Sequence, residues 1–341
     1  MAKRMKSKIQ PAVMTFCFRF DHLTKNVPQK QYIDLSQCAS ILNRRFYRQG
    51  LNWAVAQIKI FTTDEGQIIV NKLPNTWVMS NSWEKGFRSY QKMIKTAIAD
   101  GESNLPKFQD FKIYANQDHY TEGFSNNLLP VDGEMNQAKP GEWISSKIHI
   151  PIATTAIGTQ SYQSLDCSIK AVGANSFTGQ LQGNVVSLID GYANSRAYPE
   201  TTDPNTPPDM NDVTGLSPEN WIQALHNGGT EQNENVLDDL EVENNGTPYP
   251  IIGMSDPAGG AFTDTMYPGG GTQLSALERH SAELITSTTV GGATTIRGGN
   301  FPCGLMEIGS SLAKDNSQVY MEISLVPGTH RGYLAEPMTE M

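Results

Sequence analysis

Apolar and polar residues alternate over several short stretches of the chain, and an alternation with a period of two predicts half-buried β-strands. Residues 13–23 and 52–61 show it most clearly and are rich in aromatic and β-branched side chains. The sequence Asp-Glu-Gly at residues 64–66 is a turn signal, and the alternation returns at residues 67–70. We therefore predict a β-hairpin over residues 52–70.

Apolar residues at intervals of three and four predict the clearest helix over residues 81–99, with Asn81 or Ser82 as its cap. Its other positions carry the basic residues Lys85, Arg88, Lys92 and Lys95. This basic flank is either a solvated helix face or a contact for nucleic acid. A shorter helix is predicted within residues 32–48, ending near Gly50.

From residue 107 onward, short β-rich segments alternate with turns, at the spacing of a sandwich or barrel rather than of βαβ units. Residues 199–248 interrupt this rhythm with an acidic stretch that contains one short helical piece after a cap at Ser217. The apolar content of this stretch is too low for a core of its own, so we predict an acidic surface insertion. The predicted organisation is a basic arm over residues 1–12 and a single domain over residues 13–341.

The net charge of −9 conceals two halves of opposite sign. Residues 1–100 hold 16 Lys and Arg against 6 Asp and Glu, a net of +10, whereas residues 101–341 hold 10 against 29, a net of −19. Such asymmetry is typical of a protein that meets a polyanion, although basic arms are often only solvated. The candidate phosphate contacts are Lys3, Arg4, Lys6 and Lys8 in the arm, followed by Arg44, Arg45 and Arg48.

The chain carries no dinucleotide-binding, P-loop, metalloprotease or nucleophile-elbow motif, so we expect no enzyme and no cofactor. Its four cysteines lack CxxC spacing, which excludes a zinc ribbon and a disulfide scaffold and favours reduced core thiols. The acids at residues 238–243 are either a solvated face or calcium ligands, so a metal site stays open. With no apolar run of membrane-spanning length and no signal-peptide pattern, we expect no membrane partner.

Three segments carry a resemblance to a known family. They are KLPNTWVMSNSWEKGFRSYQKM at 72–93, GEWISSKIHIP at 141–151, and GGNFPCGLMEIG at 298–309 leading into 320–338. In these segments the chain resembles the capsid proteins of circular, Rep-encoding single-stranded DNA (CRESS-DNA) viruses. The resemblance implies an all-β fold, namely an eight-stranded antiparallel jelly-roll sandwich with one or two inserted helices and long surface loops. The arm departs from the family pattern, because many relatives carry long arginine-rich termini.

The resemblance also implies self-assembly into an icosahedral shell of about 60 or about 180 copies around circular single-stranded DNA. The expected partners are further copies of the chain and genomic single-stranded DNA, with a host-surface receptor at residues 199–248 as a further candidate. The expected location is the virion, with the host nucleus as a site of assembly. A lectin-like or adhesin β-sandwich binding module is the alternative.

The positive charges that such a shell supplies can be compared with the phosphates that it must enclose. Sixty four-charge arms supply about 240 positive charges, and sixty copies of residues 1–100 supply about 600, against about 1,000 phosphates for the gene of this chain alone. Either the shell is larger, or other cations assist, or the flank of the predicted helix contributes.

Overall fold

The computed structural model of the chain describes residues 11–100, 110–156, 159–194, 221–225, 276–286 and 288–341, and their backbone is mostly β. The strands in chain order are β1 (Thr15–His22), β2 (Gln29–Asp34), β3 (Leu51–Phe61), β4 (Gly66–Lys72), β5 (Lys147–Ala156), β6 (Thr159–Lys170), β7 (Asn184–Ser187), β8 (Glu278–Ile285), β9 (Ala293–Phe301), β10 (Leu305–Leu312), β11 (Ser317–Leu325), β12 (Pro327–Gly328), β13 (Gly332–Tyr333) and β14 (Ala335–Pro337). The α-helices are α1 (Leu35–Asn43), α2 (Trp77–Asp100), α3 (Gln117–Glu122), α4 (Leu188–Asn194) and α5 (Trp221–Ala224).

The described residues fall into two compact units whose ranges alternate along the chain. Unit 1 takes those within residues 1–75, 118–144 and 277–341, and unit 2 takes those within 76–117 and 145–276. All of unit 2 is therefore inserted in the sequence between β4 and β8. No pattern in the sequence indicates this division, and a single domain over residues 13–341 stays a prediction.

Unit 1 contains two antiparallel sheets. The first has the order β1-β11-β3-β9, and β14 pairs with β3 at residues 51–53, beyond the end of β11. The second has the order β2-β10-β4-β8. The short strands β12 and β13 form a separate hairpin between β11 and β14.

Both sheets of unit 1 bury one face in a shared apolar core. Phe16 and Phe18 enter it from β1 in the first sheet, and Ile68 and Val70 enter it from β4 in the second. Burying a side chain of this size stabilises a fold by about 1.5–3 kcal/mol. Because the two sheets share this core, unit 1 is an all-β sandwich, as the sequence analysis predicts.

The predicted hairpin over residues 52–70 is wrong. Both strands form, but β3 belongs to the first sheet and β4 to the second, so the turn between them carries the chain across the sandwich. Ile58 and Ile68 thereby enter the core from opposite sides. Gly66 suits this corner, because it has a φ of +155° and a Cβ there would lie 2.3 Å from the Ser311 carbonyl oxygen.

Unit 2 contains the sheet β5-β6-β7, in which β5 and β6 are antiparallel and β6 and β7 parallel. Helix α2 packs against α4, where Gly86 lies close to Leu188. The helix is confirmed, but its predicted start at Asn81 is wrong, because it begins at Trp77 and the Ser80 N–H already donates to the Thr76 carbonyl.

Residues 221–225 are the described part of the predicted insertion 199–248, and the rest lies outside the described residues. The first four of them form the short helix α5 (Trp221–Ala224), which lies within the predicted helical piece. Trp221 is fully buried, and its Nε1–H donates to the Ser187 carbonyl at 2.9 Å. This part of the insertion thus belongs to the interior of unit 2.

The cysteines are free thiols. Cys38, Cys167 and Cys303 are buried, as expected of core thiols, and burial raises the pKa of each. The same expectation is wrong for Cys17, which lies on the outer face of β1 and is exposed.

Candidate nucleic-acid interface

Helix α1 presents the predicted basic residues of unit 1 at its carboxyl end. Asp34 caps its start, where the carboxylate accepts hydrogen bonds from the Ser36 and Gln37 N–H groups at 2.9 and 3.2 Å. The helix ends at Arg44, whose left-handed φ of 51° turns the chain outward while its N–H donates to the Ser40 carbonyl. Residues 44–48 therefore form a loop at the carboxyl end of α1.

The first described residues of the chain lie against this end of α1. Asn43 Oδ1 accepts from the Val13 N–H at 3.0 Å, and the Tyr333 hydroxyl donates to the Val13 carbonyl at 2.6 Å. Asn43 Nδ2 donates in turn to the Tyr333 oxygen at 2.7 Å. Arg45 Nη1 contacts the Pro11 carbonyl at 3.4 Å. Two side chains thus clamp both backbone groups of Val13.

A cluster of three buried aromatic rings connects the loop and the clamp to the core. Tyr47, Trp53 and Tyr333 are fully buried, with ring centroids 5.4–5.9 Å apart. Trp53 Nε1–H also donates to Ser36 Oγ at 3.1 Å, which ties the cluster to α1. The loop is therefore anchored in the core through these buried side chains.

Four arginines surround the point where the arm joins the described chain, and together we call them the arm-root surface. They are Arg44, Arg45, Arg48 and Arg331, and all four are exposed. Arg331, on the turn between β12 and β13, donates to the Phe46 carbonyl, which joins this turn to the loop. Neither Arg44 nor Arg48 forms a salt bridge with a described residue.

The positive field of this surface acts on neighbouring groups. His330 has a lowered pKa, first because it is partly buried and second because of the charge of Arg331. Burial raises the pKa of Tyr47, while the charge of Arg45 and its hydrogen bond oppose that rise. The C-terminal segment borders the surface, since the Met338 N–H donates to the Gly50 carbonyl, and it adds the exposed acids Glu336 and Glu340.

The predicted site residues fall into two groups. Arg44, Arg45 and Arg48 are exposed on one loop, and the structure adds Arg331, which sequence reasoning missed because it is isolated in the chain. The arm residues Lys3, Arg4, Lys6 and Lys8 lie outside the described residues, and their segment joins the described chain at Pro11. The described part of the arm thus starts beside the predicted loop.

Replacing Tyr333 with phenylalanine should release the arm root while keeping the ring packed. The change removes the hydroxyl bonded to Val13 and Asn43, so the free energy of unfolding should fall by about 1 kcal/mol. Amide hydrogen exchange of residues 11–15 should accelerate. Tyr47→Phe is the matched control, because it loses the bonds to the Arg331 carbonyl at 3.1 Å and to Arg45 but leaves both bonds to Val13 in place. Equal exchange over residues 11–15 in both variants would contradict the clamp.

A separate polar cluster lies against the second sheet of unit 1. The buried His119 ring stacks on Tyr32 with centroids 4.4 Å apart, and His119 Nε2 lies 2.8 Å from Asn127 Oδ1. The Tyr32 hydroxyl donates to the buried Glu307 carboxylate at 2.8 Å. Lys30 pairs with Asp118 at the exposed rim. These bonds hold α3 on the sheet and give the cluster a structural role.

His119 should make unit 1 less stable in acid. Burial lowers its pKa to about 4, whereas the unfolded chain takes up the proton near pH 6.5. Stability from the neutral ring should therefore be lost as pH falls from about 6.5 through about 4, by about 3 kcal/mol in total. Urea unfolding of His119→Gln measures this, because Gln does not titrate while Asp34, Asp118, Glu122 and Glu307 remain. An unchanged difference between pH 7 and pH 4 would contradict it.

Asp34 titrates in the opposite direction. Burial raises its pKa to about 7 and outweighs four hydrogen bonds to its carboxylate, from Gln49, the Gln37 and Ser36 N–H groups, and Trp143. The stability that comes from the protonated, neutral carboxyl group of Asp34 is therefore lost as the pH rises through its pKa of about 7. Comparing His119→Gln with the unchanged chain cancels this contribution.

Comparison with known proteins adds no relative. No protein-family model, curated protein or solved structure matches the chain. Among the described residues, no group of three or more His, Cys, Asp and Glu side chains could hold a metal ion, and the acids at 238–243 lie outside them. In that same part of the chain, no helix combines the length and the apolar character needed to cross a membrane.

Proposed function

We propose that the protein is a viral capsid protein that assembles into an icosahedral shell around single-stranded DNA. The observation that carries this proposal is the strand order of unit 1. When its eight long strands are numbered along the chain, the sheets have the orders 1-8-3-6 and 2-7-4-5. The neighbouring pairs are then 1 and 8, 2 and 7, 3 and 6, and 4 and 5. This is the pairing expected if one long hairpin folds over into two sheets. That order is the one expected of a double Greek-key jelly roll, an architecture of viral capsid and lectin domains.

The arm-root surface favours a shell protein over the lectin-like alternative. A fold alone does not determine a function, so the choice depends on the chemistry of a site. Here the arm with Lys3, Arg4, Lys6 and Lys8 meets the described chain beside Arg44 and Arg45. Exposed cations close to one another can bind phosphates without reading a sequence, as genome packaging requires.

The proposed mechanism has two parts. Symmetric copies of the chain bury loop surface against one another and close a shell, since closed point-group symmetry is the common outcome of self-association. The arm and the arm-root surface then neutralise phosphates on the inner side. A host receptor is proposed to bind the acidic residues within 199–248, although Trp221 in that stretch is itself buried in unit 2.

Changing Lys3, Arg4, Lys6 and Lys8 to glutamine should lower the nucleic acid recovered with purified particles. Folding should be unchanged, because the arm precedes the sandwich. The measurement is the ratio of absorbance at about 260 and about 280 nm of the particle fraction, which rises with bound nucleic acid. A control variant with glutamine at the exposed Lys25, Lys139, Arg279 and Arg297 loses the same charge elsewhere. If the arm variant packages as much as this control, the arm does not carry the contact.

A further inference from the structure

Helix α2 carries three exposed basic side chains along one side, Arg88, Lys92 and Lys95, which we call the α2 stripe. Residues three and four positions apart share one face of a helix, so the three lie along one line. Seven residues at 1.5 Å extend about 10 Å, which equals the rise of three stacked nucleotides at about 3.4 Å each. The stripe therefore has the length to contact consecutive phosphates of one strand.

Packing inside unit 2 fixes which side of α2 faces outward. Trp83 is buried and stacks on Phe87 with centroids 4.9 Å apart, and the Tyr90 ring lies 5.2 Å from Phe111. Lys85, the fourth basic residue of the predicted flank, contacts the Tyr192 ring at 5.9 Å and is half-buried. Of the four basic residues of the predicted flank, the three of the α2 stripe remain exposed.

The charges around the stripe are mostly positive. Helix α2 has no acid between residues 85 and 99, and Glu84 pairs with Arg88, whose side chain stays 75% exposed. Strand β5 runs beside the helix, since the His149 N–H lies 3.5 Å from Met93 Sδ. It adds the exposed Lys147.

The described neighbours of the stripe include one further acid. Asp166 Oδ1 lies 2.7 Å from His149 Nδ1, so this carboxylate is engaged with the imidazole. Lys92 and Lys95 have no salt bridge to a described residue. Their ammonium groups are available to a polyanion.

We infer that the α2 stripe binds the sugar-phosphate backbone of single-stranded nucleic acid, as a second site in the unit that does not contain the arm root. The inference rests on the proposed function and deepens it. Sixty copies supply fewer cations from the arm than the phosphates of even one gene, and the stripe raises that supply. Flexible lysines contact phosphates as point charges, so the site does not read sequence.

The test is the salt dependence of binding of a fluorescent oligothymidylate to the full-length chain. Lys92→Gln with Lys95→Gln should reduce the slope of log affinity against log salt by about 1.4, because each phosphate contact on a single strand contributes about 0.7. At about 0.15 M salt the affinity should fall about tenfold, and near 1 M salt the difference should vanish. Lys25→Gln with Lys139→Gln is the matched control, and Lys92→Arg with Lys95→Arg should keep the original slope.

The outcomes separate this site from the proposed function. A slope equal to that of the control overturns the α2 stripe, and if glutamine at Arg44, Arg45 and Arg48 still lowers the slope, the proposed function stands. If neither set changes the slope, neither the α2 stripe nor Arg44, Arg45 and Arg48 bind nucleic acid, and the variant with glutamine at Lys3, Arg4, Lys6 and Lys8 decides whether the arm does. A loss of binding to vesicles with anionic lipid, without a loss for the oligonucleotide, also overturns the inference.

Discussion

Replacing Arg44, Arg45 and Arg48 together with glutamine is expected to weaken binding of a single-stranded oligonucleotide about fifty-fold at about 0.15 M salt. The three side chains are exposed on one loop beside the start of the arm, and each phosphate contact releases counterions. Losing three contacts should lower the slope of log affinity against log salt by about 2. A fluorescence titration at several salt concentrations measures both quantities.

Glutamine keeps hydrogen-bond donors at all three positions, so the change mainly removes charge. A control with glutamine at the exposed Lys25, Lys139 and Arg279 removes the same charge away from the loop. Adding Arg331→Gln should reduce the slope further, because that side chain joins the same surface through Phe46. Equal slopes for the loop variant and the control would show that the arm-root surface does not bind phosphates.

Replacing Trp53 with alanine is expected to lower the free energy of unfolding of unit 1 by about 3–5 kcal/mol. The indole is fully buried against Tyr47 and Tyr333, so its removal leaves a cavity in the core. The change also removes the hydrogen bond to Ser36 Oγ. Urea unfolding followed by far-ultraviolet circular dichroism measures the loss.

Trp53→Phe separates the two contributions. It keeps an aromatic ring in the cluster and loses only the indole nitrogen and part of the volume, so it should cost less than half as much. Because the cluster supports the Val13 clamp, Trp53→Ala should also accelerate amide exchange at residues 11–15. A loss below about 1 kcal/mol for Trp53→Ala would contradict the role of this cluster.

Local patterns predicted the clearest helix and some of the strands. The alternation over residues 13–23 and 52–61 corresponds to β1 and β3, because a strand that buries one face leaves a two-residue period in the sequence. Which strands pair is a non-local property, and the short turn before Gly66 favoured a hairpin where the chain crosses between sheets. Strand β9 was missed because it contains Gly298 and Gly299, and glycine is a weak strand former.

The candidate site was predicted in part for the same reason. Arg44, Arg45 and Arg48 form a cluster in the sequence, so a basic loop could be recognised there. Arg331 reaches that loop only because the β12–β13 hairpin folds back beside residues 44–48. No local pattern in the sequence predicts this contact. The burial of Trp221 was missed because the residues around it are acidic and polar.

The most direct test of the capsid account is negative-stain electron microscopy of the purified full-length protein, with the absorbance ratio of the same fraction. The account predicts uniform round shells of about 20–40 nm, whose diameter decides between about 60 and about 180 copies. It also predicts bound nucleic acid in those shells. A monomer or small oligomer at every salt concentration and pH tested would contradict the account and favour a β-sandwich binding module.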